Sequence, residues 1–180
     1  LVRLIADKDT YQPGDTAEVL VQAPFYPAEG LMTLQRQGII HTERFRMEEP
    51  TTTLRIPITE AHLPDLQVQV NLVGSAERIG DQGDPVKGAP RRPAHAEGSL
   101  HLSIPPLKRS LLVTVKSRQT GYRPGEKATI DVTVLDADKK PVSGAEVALV
   151  VVDESVLALT GYRLGSPLHY FYPSRSGGVS

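Results

Sequence analysis

Apolar residues recur at every second position in several stretches of the chain, a period that puts alternate side chains on one face of an extended strand. Ala17, Val19 and Val21 follow it, as do Leu54, Ile56 and Ile58, then Val68, Val70 and Leu72, then Leu100, Leu102 and Ile104. Later come Leu111, Val113 and Val115, and Ala128, Ile130, Val132 and Val134. Each run predicts a strand with one buried and one wetted face. No stretch of ten or more residues carries a helical period; Thr59 to Leu66 has room for a turn or two before Pro64 interrupts it.

The strands are punctuated by a repeat. Tyr11-Gln12-Pro13-Gly14-Asp15, followed by Ala17, Val19 and Val21, recurs without a gap as Tyr122-Arg123-Pro124-Gly125-Glu126, followed by Ala128, Ile130 and Val132. In each copy proline presets φ and glycine accepts positive φ, so the pair makes a tight turn ahead of a strand. Tyr11, Pro13 and Gly14, and Tyr122, Pro124 and Gly125, are therefore expected to be structural turn residues. The offset between copies matches one antiparallel sandwich of roughly 100 residues.

The paired prolines at Pro105-Pro106 remove two backbone donors and stiffen a short connection, so the boundary is expected there. Residues 1–107 form the first sandwich. Residues 108–180 are short for seven strands and are expected to be an incomplete second one. The fold class is all-β, two tandem antiparallel β-sandwiches. Ser75 to Gly98, with Pro85, Pro90 and Pro93, reads as a solvated excursion between two strands. The chain opens at Leu1 rather than methionine and is expected to be an excised piece of a longer one.

Composition supports the β reading: Val, Ile and Thr together supply 39 of 180 residues, and their stiff side chains suit a pleated surface. A net charge of −1 is too balanced to hold a polyanionic backbone, so nucleic acid is not expected as a partner. With no cysteine there is no disulfide, thiolate nucleophile or Cys-ligated zinc. The five histidines, His41, His62, His95, His101 and His169, lack the spacings that put two nitrogens on one metal, so no metal is expected. His41 and Glu43 share a strand face, and His101 between Leu100 and Leu102 points outward, the ordinary wet side of a sandwich.

No Gly-x-Ser-x-Gly elbow, phosphate loop or dinucleotide fingerprint occurs, and the one tempting acid–serine–histidine set is Asp153-Glu154-Ser155 with His169. No enzyme activity and no cofactor are expected. Four of the nine aromatics, Tyr162, Tyr170, Phe171 and Tyr172, gather near the end among glycines and prolines. They suit a partner-binding segment or a flap packed on the sandwich.

Within 140–159, Pro141 to Gly144 reads as a turn and Ala145 to Val152 as a mostly apolar strand. Asp153 to Ser155 is a polar break, and Val156 to Leu159 a second short strand. The run Lys140-Pro141-Val-Ser-Gly144-Ala145-Glu-Val147-Ala-Leu149-Val-Val-Val152-Asp153-Glu154-Ser155-Val156-Leu157-Ala158-Leu159 resembles the macroglobulin-like domains of bacterial α2-macroglobulins. Asp7-Lys8-Asp9-Thr10-Tyr11-Gln-Pro-Gly-Asp15 looks like the opening of the preceding domain of that kind. The resemblance implies fibronectin/immunoglobulin-like macroglobulin domains, the second leading into a protease-sensitive bait region. Gly161 to Pro173, with Tyr162, Tyr170, Phe171 and Tyr172, would be its lead-in.

The implied function is that of a scaffold in a broad-spectrum inhibitor, in which a protease cuts the bait and is trapped. The implied partners are target proteases, neighbouring macroglobulin-like domains and a penicillin-binding protein. The implied location is the periplasm, the parent being anchored to the inner membrane of a Gram-negative bacterium. The Cys-x-Glu-Gln thioester of the family is absent from these residues. The rival from the residues alone is an Ig-like spacer of a bacterial surface adhesin; a further rival is a carbohydrate-binding module using Tyr162, Tyr170 and Tyr172.

Overall fold

A computed structural model of the chain describes residues 1–80, 84, 86, 88–123, 125–152, 154–163, 165–175 and 177–178. Two compact units emerge, one made of Leu1–Pro105 together with Pro173–Ser180, the other of Pro106–Tyr172.

In the first unit, β1 (Arg3–Ala6), β2 (Thr16–Gln22) and β5 (Thr51–Pro57) form a three-stranded sheet in the order β1-β2-β5. A four-stranded sheet takes β3 (Ala28–Gln35), β4 (Ile39–Met47), β6 (Asp65–Ala76) and β7 (Arg92–Ser103) in the order β4-β3-β6-β7. All pairings within these sheets are antiparallel. The chain changes sheet between β2 and β3, between β4 and β5, and between β5 and β6, which is how one chain builds two layers.

The alternation seen in the sequence supplies the core. Ala17, Val19 and Val21 from one sheet, with Leu54 and Ile56, share a buried interior with Met32, Leu34, Leu66, Val68, Val70, Leu72 and Leu102 of the other. These side chains are almost wholly removed from water, the dominant favourable contribution to folding. The all-β expectation is met.

Several local expectations are corrected. The excursion begins later than Ser75 and ends before Gly98, because β6 and β7 pair on through Ser75 with Pro93 and Ala76 with Arg92. Twelve-residue strands keep their ladder beyond the apolar pattern that betrayed them. Thr59 to Leu66, by contrast, holds the short turn expected of it, a single 3-10 turn at Glu60–His62. It carries a reciprocal cap in which the Thr59 amide donates to Nδ1 of His62 at 3.2 Å.

The second unit holds one antiparallel pair among the described residues, β8 (Leu112–Ser117) with β9 (Ile130–Leu135). Ala145 to Val152, expected as a strand, is not assigned one in its described residues. A strand needs a neighbour to take its amides, and Val150 and Val151 instead stand 79% and 76% exposed. Val156 to Leu159, expected as a short strand, lies in the helix α1 (Glu154–Thr160), with Glu154 in its first turn where a negative charge meets the helix dipole. A second helix, α2 (Pro167–Phe171), opens on a proline, whose missing amide costs nothing at that position.

Candidate functional site

The two Tyr-x-Pro-Gly-acid segments fold by the same bonds. In the first, the Gln12 amide donates to the Asp15 carboxylate at 3.0 Å while the Asp15 amide donates to the Gln12 carbonyl at 3.0 Å. In the second, the Arg123 amide donates to the Glu126 carboxylate at 2.8 Å and the Glu126 amide to the Arg123 carbonyl at 3.0 Å. Gly14 and Gly125 sit at φ +100 and +88, which a β-branched residue rarely adopts. Pro13 occupies the turn in the first copy; Pro124 lies outside the described residues.

The tyrosines diverge. Tyr11 is fully buried, its hydroxyl donating to Asp7 at 2.7 Å and accepting from the Lys8 amide at 3.2 Å. Burial, then the bond to Asp7, pushes its phenol up to about 12. The same bond, joined by the Glu18 amide at 2.8 Å, holds the Asp7 carboxyl below its usual value. Tyr122 is half-buried, and its hydroxyl meets Ser117 at 3.1 Å, which lowers its phenol. The first copy thus fastens a core; the second closes an exposed ribbon. The Gly14 amide donates to the Ile58 carbonyl at 2.8 Å, and the Ile58 amide to the Asp15 carbonyl at 2.8 Å, tying the first turn to the end of β5.

Residues 154–172 form the other candidate site. Leu159, Tyr162, Tyr170 and Phe171 are 87%, 65%, 83% and 70% exposed, and Arg163 is exposed as well. Tyr170 and Phe171 meet edge to face, 5.6 Å between ring centres. Tyr172 is half-buried, with the Arg109 guanidinium 5.7 Å above its ring. The structure gathers Tyr170, Phe171 and Tyr172 on and beside α2; Tyr162 lies apart, after α1. The two helices are seven and five residues long, too short to be stable without packing, so the segment opens at little cost.

Of the suspected acid–serine–histidine set, Asp153 lies outside the described residues, and His169 is exposed in the last turn of α2. His41 stands 3.9 Å from Glu43 on the exposed face of β4, and no metal-binding group occurs among the described residues. Among the described residues no helix is long and apolar enough to cross a membrane.

Sequence reasoning passed over Asp65. It is 4% exposed at the start of β6, 3.6 Å from His101, and both its oxygens accept bonds from Ser174 and Arg175. No local pattern flags it, because the two donors that reach its carboxylate, Ser174 and Arg175, lie 109 and 110 residues further along the chain.

Curated relatives echo the whole stretch. Circularly permutated Ras protein 2 of Dictyostelium discoideum is 27% identical over 175 residues, 97% of this chain and 4% of its own length. An alpha-2-macroglobulin homolog of a Nostoc species is 27% identical over 162 residues, 87% of this chain and 8% of its own. The alpha-2-macroglobulin of Xylella fastidiosa strain Temecula1 is 27% identical over 178 residues, 97% of this chain and 10% of its own. The chain therefore spans a tenth or less of the length of these relatives. The model of the alpha-2-macroglobulin bait region domain matches residues 2–159, and the chain belongs to that family.

Proposed function

We infer that the chain is part of a protease-trapping inhibitor, with residues 1–105 as a rigid frame and residues 154–172 as the exposed lead-in to the segment that proteases cut. The observation that carries this reading is the pairing of a tightly packed sandwich with two sub-stable helices. Those helices and their junction display leucine, tyrosine, phenylalanine and arginine, side chains that proteases of different specificity recognise. Cleavage demands an extended, locally unfolded substrate, and short unsupported helices supply it. A trap also demands rigid modules whose arrangement changes when the chain is cut.

The reading includes a parent located in the periplasm and anchored to the inner membrane of a Gram-negative bacterium. It also makes residues 106–172 part of a second sandwich whose remaining strands belong to the parent. Leu112, Val113 and Val115 of β8 stand uncovered as that assignment requires.

One observation favours a second reading, that of a structural spacer: the same stretch is similar to part of a Dictyostelium protein named for Ras rather than for a macroglobulin. Limited digestion with four proteases of unrelated specificity separates the two. First cuts by all four within 154–172, followed in the parent by a change of dimensions in solution scattering, are expected of the trap. First cuts in 77–91 with unchanged dimensions would leave a spacer.

A further inference from the structure

Among the described residues of the first unit, three polar ones are buried: Thr33 and Gln35 on β3 and Asp65 on β6. By the alternation of their strands they lie opposite the core-facing Met32, Leu34 and Leu66, on the outer face of the four-stranded sheet, where polar side chains are ordinarily wet. Over Asp65 and Gln35 lies the chain itself, which re-enters the first unit at Pro173.

The contacts are specific. The Ser174 hydroxyl donates to one oxygen of Asp65, and the Arg175 amide donates to the other at 3.4 Å. The Arg175 guanidinium donates to the Gln37 side-chain carbonyl, and the Gly38 amide donates to the Gly177 carbonyl at 2.8 Å. Gly177 is buried directly over Gln35 and Gln67, so close that a Cβ there would stand 2.6 Å from the side-chain oxygen of each. Gly178, at φ +67, rests on the backbone of Gln37 and Gly38, which a Cβ would meet at 3.0 Å. Below this layer the Gln35 side-chain amide donates to the Thr33 hydroxyl at 3.0 Å and to the Gln69 side-chain carbonyl at 2.6 Å.

A carboxylate is costly to bury unless it is hydrogen-bonded and faced by positive charge. Asp65 has the Ser174 and Arg175 donors and His101 at 3.6 Å, and Arg36 lies close enough to feel its charge. Gly177 against the two glutamine side chains and Gly178 at positive φ against the Gln37–Gly38 backbone, beside a hydroxyl and a cation that match one carboxylate and one amide, constitute a complementary pair of surfaces rather than an incidental touch.

We propose that the outer face around Gln35, Gln37, Asp65 and Gln67 is a docking cradle for Ser174, Arg175, Gly177 and Gly178 of the same chain, and that this docking shields Arg175 from arginine-specific proteases. The inference goes beyond the trapping reading and does not depend on it. It divides Arg163 from Arg175: Arg163, exposed between the helices, is open to attack, whereas Arg175 must be peeled from Asp65 and Gln37 before a protease can take the extended backbone it needs.

The test uses the 180-residue chain and two variants, Gly177→Val, which leaves every core residue untouched, and Asp65→Asn, which keeps the side chain's size and removes its charge. Trypsin digestion followed by mass spectrometry gives the rate of cutting after Arg163 and after Arg175. In the parent sequence Arg163 is expected to be cut about tenfold faster or more, and in both variants the two rates are expected to converge. Amide exchange at Gly38, which donates to Gly177, is expected to accelerate in Gly177→Val while Val68 and Val70 stay protected, so release of the docked residues is read apart from unfolding. Equal rates at Arg163 and Arg175 in the unaltered chain, or a Gly38 amide indifferent to Gly177→Val, would overturn the proposal.

Discussion

Tyr11 and Asp7 share one proton bond, and the pH response of the first unit is written in it. A phenol raised to about 12 in the fold, against about 10 when unfolded, keeps its proton longer in the folded chain. Its contribution is complete below pH 10 and is lost as the pH rises from 10 towards 12. Asp7 works in the opposite sense: its lowered carboxyl contributes above the unfolded value near 4 and loses that contribution as the pH falls through the folded one. Tyr11→Phe should therefore flatten the alkaline limb of the stability curve and shrink the acid one, as denaturant melts at pH 7, 9.5 and 11.5 would reveal. An alkaline limb as steep as before would assign the loss to another group. None of this was legible beforehand, since the repeat predicted turns at both tyrosines while their difference comes from burial, complete at Tyr11 and only partial at Tyr122.

Elements divide by whether a core faces them. The runs at Ala17–Val21, Leu54–Ile58, Val68–Leu72 and Leu100–Ile104 announced β2, β5, β6 and β7, because each buries one face and wets the other. β3 escaped notice: Gly30 interrupts its apolar run, and Thr33 and Gln35 are polar yet buried, so neither face reads cleanly. β4 lies at a sheet edge with almost every residue exposed and gives no period beyond its charged face. Close approach of backbone decides a further position. A Cβ at Gly98 of β7 would stand 2.2 Å from the Val2 carbonyl, beside the bond from the Val2 amide to the Glu97 carbonyl at 2.8 Å. Gly98→Ala should push the segment before β1 off the sheet and cost about 1–3 kcal/mol, in the range for overfilling a packed site. A urea titration measures it, and an unmoved midpoint would mean that the leading residues hold no fixed place.

At the scale of the whole chain the two units differ in how their apolar surface is spent. The first encloses its valines and leucines between two sheets, whereas β8 exposes every residue, with Leu112, Val113 and Val115 each more than half open to solvent. A two-stranded ribbon is marginal in water without a third strand or a covering layer. Its amides should then open through local fluctuations, while those of the central strand β6, paired on both sides by β3 and β7, open only with the unit as a whole. Hydrogen exchange followed by mass spectrometry is expected to find 112–117 and 130–135 exchanging orders of magnitude faster than 66–72 at neutral pH. Equal protection in the two regions would mean that the ribbon is stabilised by something other than its own pairing. It would also withdraw the support that uncovered β8 gives to a second sandwich completed by strands of the parent.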